Sequence, residues 1–396
     1  MCGITGWVDW DEDLTRKNQI LLRMTNHLAH RGPDALSTWS SPHAAFGHRR
    51  LVVVDPEGGE QPMTRSRGNR TYTITYNGEL YNTLEIRREL EVRGHHLRTR
   101  NSDTEVLLLA YIEWGKACLD RLNGIFAFAI WDEAEQSLFM ARDRLGVKPL
   151  FYFQRGSMFL FASELKALLA HPQVSPALDR EGLAEVLVMA PSRTPGHGVF
   201  HNVRELRPGY FLEYTRRGIS TSKYWRLVSK PHLDDLPTTA HRVRELLEDS
   251  VRRQLVSDVP IGTLLSGGLD SSAITAFAAR VFKEEGQGAL RTFSVDYRGN
   301  DEYFRSNQFQ PDADIPWIRM VSGYVGSEHH HVTLDNLELA AALIPAVRAS
   351  DFPGMADIDS SLYLFCREIK KTVTVGLSGE CADEILGGYP WFNREG

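Results

Sequence analysis

Read for the spacing of apolar and polar positions, the first half of the chain alternates short β-type runs with amphipathic helical stretches. Residues 72–76, 125–131, 137–140 and 158–162 are rich in β-branched and aromatic side chains and are bounded by Gly, Asn or Asp, which predicts strands. Residues 14–28, 83–92, 104–114 and 164–169 repeat apolar side chains at intervals of three and four, which predicts helices. Ser102-Asp103-Thr104-Glu105 supplies N-cap chemistry for the third of these. Strands cluster and helices flank them, so mixed sheets covered by helices are expected rather than a regular βαβ winding. Residues 191–237 are dense in Pro, Gly and turn residues around a hairpin-like 209–214, and a domain boundary is expected near 215–235. Beyond it the pattern predicts a helix over 238–254, a buried strand over 259–265, a Gly-rich turn and a helix over 271–282. Apolar runs at 291–296 and 372–377 suit a parallel sheet, with helices at 334–349 and 360–370, so the second half reads as α/β.

Composition narrows the function classes. A chain of 396 residues, 42% hydrophobic and 24% charged, is ordinary for a globular protein, and its length favours two domains with three as the alternative. Lys plus Arg number 45 against 51 for Asp plus Glu, which argues against a broad electrostatic grip on nucleic acid or an anionic membrane. Four cysteines without a CxxC pair give neither a disulfide framework nor a zinc site. The first ten residues carry acids where an export signal would carry an apolar run, and no stretch of about eighteen apolar residues occurs. These features predict a cytoplasmic protein whose partners are small molecules, with no nucleic acid and no membrane.

Cys2 is the first residue that could carry chemistry. Removal of Met1 is expected before a small side chain, and would leave a thiol and a free α-amine on one residue. That amine has an ordinary pKa of roughly 7.7–8.0, so part of it is free base near neutrality, whereas a lysine near 10.4 would need strong perturbation. Nucleophile and base can thus share a residue, and thiol attack on a carboxamide would release ammonia and leave a thioester for water to clear. Taken alone, Cys2 reads as an incidental cysteine near a terminus.

Its context decides. Cys2-Gly3-Ile4-Thr5-Gly6, Arg31-Gly32-Pro33-Asp34, His48-Arg49-Arg50-Leu51-Val52-Val53-Val54, Tyr76-Asn77-Gly78-Glu79-Leu80, Ser102-Asp103-Thr104-Glu105 and Arg142-Asp143-Arg144-Leu145-Gly146-Val147-Lys148-Pro149 follow in order. Together they resemble the glutaminase domain of the class II, N-terminal-nucleophile amidotransferases over about residues 1–215. The resemblance implies an αββα sandwich, Cys2 as nucleophile, and Asn77 with the Gly78 backbone N–H as oxyanion hole. It implies glutamine binding by Arg50, Leu51, Val52, Val53, Val54, Asn77, Gly78, Glu79 and Asp103, with Arg50 on the α-carboxylate and Asp103 and Glu79 on the α-amine. The bland alternatives are Arg50 as a solvated strand end, Asn77-Gly78 as a hairpin turn and Asp103 as a helix cap.

In the second half, Leu265-Ser266-Gly267-Gly268-Leu269-Asp270-Ser271-Ser272 sits between a predicted strand and helix, where free N–H groups and the helix dipole favour a phosphate. The loop has no Lys, so it is not a GxxxxGK[ST] loop. Asp270 beside phosphates is repulsive unless a cation intervenes, which points to Mg²⁺. The segment resembles the SGGxDS loop of ATP pyrophosphatase enzymes, and with Thr292-Phe293-Ser294-Val295 and Leu377-Ser378-Gly379-Glu380-Cys381-Ala382-Asp383 it is similar to the synthetase domain of the glutamine-hydrolysing asparagine synthetases. That resemblance implies ATP contacts from Leu265, Ser266, Gly267, Gly268, Asp270, Ser271, Ser272, Val295, Ser378 and Gly379, Mg²⁺ on Asp270 and Asp383, and support of adenylation by Glu380. Glu328-His329-His330-His331 is discounted as a metal site, because consecutive strand residues point to opposite faces.

The organisation expected is therefore a glutaminase domain over 1–215, a linker over 216–236, and the amino-terminal part of an α/β adenine-nucleotide hydrolase-like synthetase domain over 237–396. The family continues with a long helical region, so the resemblance implies that this second domain is incomplete. The expected reaction is aspartate plus glutamine, ATP and water to asparagine, glutamate, AMP and diphosphate, in a homodimer. Its alternative is the same chemistry on another carboxylic acid. Ammonia must stay unprotonated and an acyl-adenylate must stay dry, so an apolar passage between the sites is expected. Residues 300–317, longer than a strand-to-helix connection needs, have no functional account.

Overall fold

The computed structural model describes residues 1–306 and 312–393. It divides into two compact units. The first comprises Met1–Lys230 and Ser350–Gly354; the second comprises Pro231–Ala349 and Met355–Gly396.

The first unit contains β1 (Gly3–Val8), α1 (Asn18–Asn26), β2 (Ala35–Ser40), β3 (Ala44–Arg50), β4 (Met63–Arg67), β5 (Arg70–Leu80), α2 (Thr83–Val92), α3 (Asp103–Trp114), β6 (Gly124–Asp132), β7 (Ser137–Arg142), β8 (Phe151–Arg155), β9 (Met158–Ala162), α4 (Leu165–Leu169), α5 (Arg180–Ala184), β10 (Val203–Glu205), β11 (Tyr210–Thr215) and β12 (Gly218–Lys223). Two six-stranded sheets result, in the orders β10-β8-β9-β1-β3-β2 and β12-β11-β7-β6-β5-β4. Their pairings are all antiparallel rather than mixed.

Side-chain alternation builds the layers. Along β6, Ala127, Ala129 and Trp131 point into a core shared with Ile4, Phe46, Phe159 and Phe161 of the other sheet, while Phe126, Phe128 and Ile130 point to α2 and α3. A strand buried on both faces reads as an unbroken apolar run, as 125–131 does. On β1, Ile4 and Val8 face the second sheet, and Trp7 faces α1 and α4 with Leu21, Met24 and Leu165. The order helix, sheet, sheet, helix follows, an αββα sandwich. Each fully buried large side chain contributes roughly 1.5–3 kcal/mol.

Two local expectations are corrected. The helix over 14–28 breaks, because the Asp13 carboxylate takes the Thr15 N–H at 3.1 Å and forms a tight turn over Leu14–Arg16 before α1 begins. Ser102 occupies the N-cap position of α3 without a side-chain capping bond. Glu105 does not reach back to it: fully buried, it takes Arg65 Nε at 2.7 Å and the N–H of Thr99 at 2.7 Å. Past residue 215 the first unit continues, since β12 pairs along its length with β11.

The second unit contains α6 (Leu236–Gln254), β13 (Ile261–Leu264), α7 (Leu269–Glu285), β14 (Arg291–Tyr297), α8 (Asn300–Tyr303), α9 (Asp314–Val325), β15 (Glu328–Leu334), α10 (Asn336–Ser350), α11 (Ala356–Ile369), β16 (Val375–Leu377) and α12 (Ala382–Leu386). Its sheet is parallel, in the order β15-β14-β13-β16. Val251 of α6 and Ala278, Val281 and Phe282 of α7 cover Ile261, while Phe365 and Ile369 of α11 cover Phe293. Residues 307–311 of the segment 300–317 lie outside the described residues; α8 and the start of α9 fall in the rest. No helix among the described residues is long and apolar enough to cross a membrane.

Candidate functional site

The inner faces of the sandwich bring the amino-terminal motifs together. His48 Nδ1 meets Thr75 Oγ1 at 3.1 Å, a bond from β3 to β5 across the gap between the sheets. Two residues on along each strand, on the same faces, come Arg50 and Asn77. Ile4 of β1 pairs with His48 and lies in the inter-sheet core, so Cys2, two residues earlier, opens onto the same gap. Asn77 and Gly78 are thereby interior residues of β5, paired with Ala127 and Phe126, and not a hairpin turn. A Cβ on Gly78 would sit 2.3 Å from the Ile125 carbonyl, so only glycine fits there.

Each candidate has a definite environment. The Cys2 thiol is half-buried against the Leu51 backbone, accepting its N–H at 3.5 Å and facing its carbonyl at 3.7 Å. Burial pushes that thiol up, against the pull of the Leu51 N–H and of Arg50. Met1 precedes it. The Met1 residue is half exposed, yet desolvation at its amine, with Arg31 and Lys148 nearby, pushes the amine down to about 5. Arg50 is no solvated strand end: it is buried, and it donates to the carbonyls of Asp55 at 2.6 Å and Pro56 at 2.8 Å. No carboxylate pairs with it among the described residues. The half-buried loop Leu51, Val52, Val53, Val54 is held by Asp34, whose carboxylate takes the Val52 N–H at 2.8 Å.

Asn77 is 1% exposed, and its Nδ2 has no hydrogen-bond partner among the described residues, which is costly for a buried donor. Asp103 heads α3 and receives Tyr76 Oη at 2.9 Å and the Leu80 N–H at 3.2 Å. Burial pushes up the carboxyl groups of both Asp103 and Glu79.

Three residues inside the quoted motifs or beside them acquire contacts that their sequence position did not disclose. Arg31 Nε donates to the Cys2 carbonyl at 2.9 Å. Glu164 pairs with Arg31 at 2.8 Å and Lys166 at 2.6 Å; burial opposes its charge, yet His30, Arg31 and Lys166 hold its carboxyl down at about 2. Lys148 is buried with Nζ 2.9 Å from the Met1 sulfur, and burial pushes it down. The only sequence signal for these is a charge inside a motif or at a predicted helix start.

In the second unit, β13 and β16 are parallel neighbours, so the loops that follow them emerge at the same, carboxyl end of the sheet. Gly267 has φ +84° and Gly268 is the N-cap of α7 without a side-chain capping bond. Ser266 and Ser271 hydroxyls meet at 3.0 Å across the loop, and Leu265 is buried beneath it. A Cβ on Gly379 would lie 3.1 Å from the Ser271 N and 3.4 Å from the Asp270 Cβ, so the second Ser-Gly segment rests on the start of α7. Desolvation and the facing Asp383 carboxylate push Asp270 up. Ser272 lies in the first turn of α7, and Ser378 Oγ takes the N–H of the exposed Glu380 at 3.1 Å. Val295 is half-buried against the cluster around Phe293 and Phe365. His329 and His331 share one face of β15, each 2.9 Å from Ser294 Oγ, while His330 stacks on Phe293. No cluster of metal-ligand type occurs among the described residues.

Comparison with known proteins bears on both units. A glutamine amidotransferase domain matches residues 1–225 and asparagine synthase matches residues 242–396. The chain is 55% identical to asparagine synthetase [glutamine-hydrolyzing] 3 of Bacillus subtilis, over 99% of this chain and 64% of that protein. It is 34% identical to asparagine synthetase [glutamine-hydrolyzing] 1 of the same organism, over 98% of this chain and 59% of that one. A Methanocaldococcus jannaschii relative named as an asparagine synthetase [glutamine-hydrolyzing] 2 is 30% identical, over 98% of this chain and 76% of its own length. The chain thus spans less than two thirds of the two Bacillus relatives. By these matches, and with the amidotransferase part preceding the synthase part, the chain belongs to the family of glutamine-hydrolysing asparagine synthetases.

Proposed function

We propose that the first unit releases ammonia from glutamine at Cys2 and that the second activates the side-chain carboxylate of aspartate with ATP. The whole protein would then form asparagine, glutamate, AMP and diphosphate, as a cytoplasmic homodimer. Once Met1 is removed, the freed amine of Cys2 takes the thiol proton and the sulfur attacks the amide carbon of glutamine. The carbonyl oxygen becomes an oxyanion; its collapse breaks the C–N bond, ammonia leaves with a proton from the Cys2 ammonium, and water cleaves the thioester to glutamate. The observation that carries this reading is the buried Asn77 Nδ2, a donor without an acceptor among the described residues, in the gap that Cys2 and Arg50 share. With the Gly78 N–H it would receive the oxyanion. Arg50 would hold the α-carboxylate. Asp103 and Glu79, whose carboxyls burial pushes up, would receive the α-ammonium, whose positive charge favours their ionised form.

In the second unit the Ser266 to Ser272 loop and the Ser378-Gly379 segment would grip the phosphates of ATP, with Leu265 and Val295 beside the nucleotide. A carboxylate oxygen of aspartate attacks the α-phosphorus, the bond to the bridging oxygen breaks and diphosphate leaves, with Glu380 supporting the step. Asp270 and Asp383 face each other closely enough to raise Asp270, and two carboxylates are the share that Mg²⁺ takes from a protein when phosphates and water fill its remaining positions. When bound, the ion would neutralise the charge of those groups.

Glutamate release that vanishes in Cys2→Ala supports the first unit's role, and release that persists refutes it. Exchange of labelled diphosphate into ATP in the full-length protein tests the second: dependence on aspartate supports the reading, and exchange without aspartate assigns another acid.

A further inference from the structure

Four charges of alternating sign run outward from the nucleophile. Arg31 Nε donates to the Cys2 carbonyl at 2.9 Å, and its NH1 meets Glu164 at 2.8 Å. The other Glu164 oxygen takes Lys166 Nζ at 2.6 Å. Lys166 is held in turn by Asp351, through Nζ at 3.0 Å and through the backbone N–H at 3.2 Å. All four side chains are sheltered, with exposures of 9% for Arg31, 11% for Glu164, 21% for Lys166 and 8% for Asp351, so solvent screens them weakly. Asp351 belongs to Ser350–Gly354, the stretch joining α10 to α11 that forms part of the first unit. Its neighbour Phe352 packs on the core around α1 and α4 and lies 4.5 Å under the Arg193 guanidinium, which seats the stretch.

We infer that Lys166 and Asp351 are positioning residues for the Cys2 nucleophile, acting through Glu164 and Arg31 on the Cys2 carbonyl; the inference rests on the glutaminase reading above. A guanidinium is a rigid fork, so fixing one edge on Glu164 fixes where the other edge points. The carbonyl it holds sets the rotation of the Cys2 backbone, and with it the direction of the thiol, whose own hold on the Leu51 N–H is long at 3.5 Å. Lys166 gripped at two points keeps Glu164 from swinging, although His30 shares the Glu164 carboxylate and keeps the loss partial. None of these groups needs to touch glutamine, so the effect belongs in kcat and not in KM.

The test is steady-state glutaminase kinetics of the full chain with Asp351→Asn and Lys166→Met, each close in shape to the residue replaced. The expected result is a kcat lowered about fivefold to twentyfold in both, within the roughly hundredfold that a one-ångström misplacement costs, with KM for glutamine kept within about twofold. Alkylation of Cys2 by a glutamine-like electrophile slows in parallel. Asp351→Glu, which keeps the charge, recovers part of the rate. An unaltered kcat in both variants, or a change confined to KM, overturns the inference. Absence of glutamine hydrolysis by the unmodified protein would instead overturn the glutaminase reading, so the two failures are distinct.

Discussion

Replacing Asn77 by Ala separates catalysis from stability. Asn77 is 1% exposed and its Nδ2 has no partner among the described residues, so the resting fold already bears the desolvation of an unmade hydrogen bond, about 1–3 kcal/mol. Truncation removes that cost and leaves a small cavity of comparable size, so the denaturation midpoint should scarcely move. The transition state behaves otherwise. A preorganised donor to an oxyanion is worth about 3–4 kcal/mol, which is a few hundredfold in kcat, and it engages an atom that is not yet charged in the bound substrate. KM should therefore stay within about twofold. Glutamate release at saturating glutamine, with urea unfolding of the same preparation, measures both. A kcat within about fivefold of the unmodified protein at an unchanged midpoint would refute the oxyanion assignment. A collapsed midpoint would show instead that the amide holds the sheet together.

Other outcomes follow from the same geometry. Trp131→Ala empties the centre of the inter-sheet core, where the side chain is fully buried, and should cost about 3–5 kcal/mol by denaturant titration. His48 is buried and its imidazole is pushed by desolvation from 6.5 down to about 3, so the folded state refuses a proton that the unfolded chain accepts. Its contribution is complete above pH 6.5 and is lost progressively as pH falls toward 3, about 3 kcal/mol by pH 4. His48→Gln should flatten that acid limb, and an unchanged slope between pH 6.5 and 4 would contradict the assignment. Gly267→Ala places a Cβ at φ +84° and 2.9 Å from the Trp317 Cβ, so nucleotide-dependent diphosphate exchange should fall while glutamine hydrolysis persists.

What the sequence disclosed followed from local physics. Strands β5, β6, β7 and β9 announce themselves because burial on one or both faces writes a continuous or alternating apolar run. The Gly-rich turn before α7 is legible because glycine and serine between a strand and a helix have few other uses. Cys2 is legible as a candidate nucleophile because the motifs that follow it stand in one order. What stayed hidden depends on partners distant in sequence. Glu105 looks like a capping residue until Arg65 and the backbone of 98–99 claim it. Arg31 carries no mark of its bond to the Cys2 carbonyl, and neither Glu164 nor Asp351 shows that it belongs to the same run of charges. Asp351 is 349 positions from Cys2 in a turn between two helices, where composition carries no trace of the contact. Lys148 is visible as a motif residue, but its place beside Met1 depends on Asp143, which takes its N–H at 2.9 Å, and on Arg142, which donates to its carbonyl at 2.8 Å.

The most direct measurement is mass analysis of the amino-terminal peptide after an active preparation has reacted with a glutamine-like electrophile. The account predicts a peptide beginning at Cys2, carrying one adduct on that sulfur, with glutamine hydrolysis abolished in proportion to labelling. An active preparation in which Met1 remains attached, or in which the label sits elsewhere while hydrolysis is lost, would contradict it.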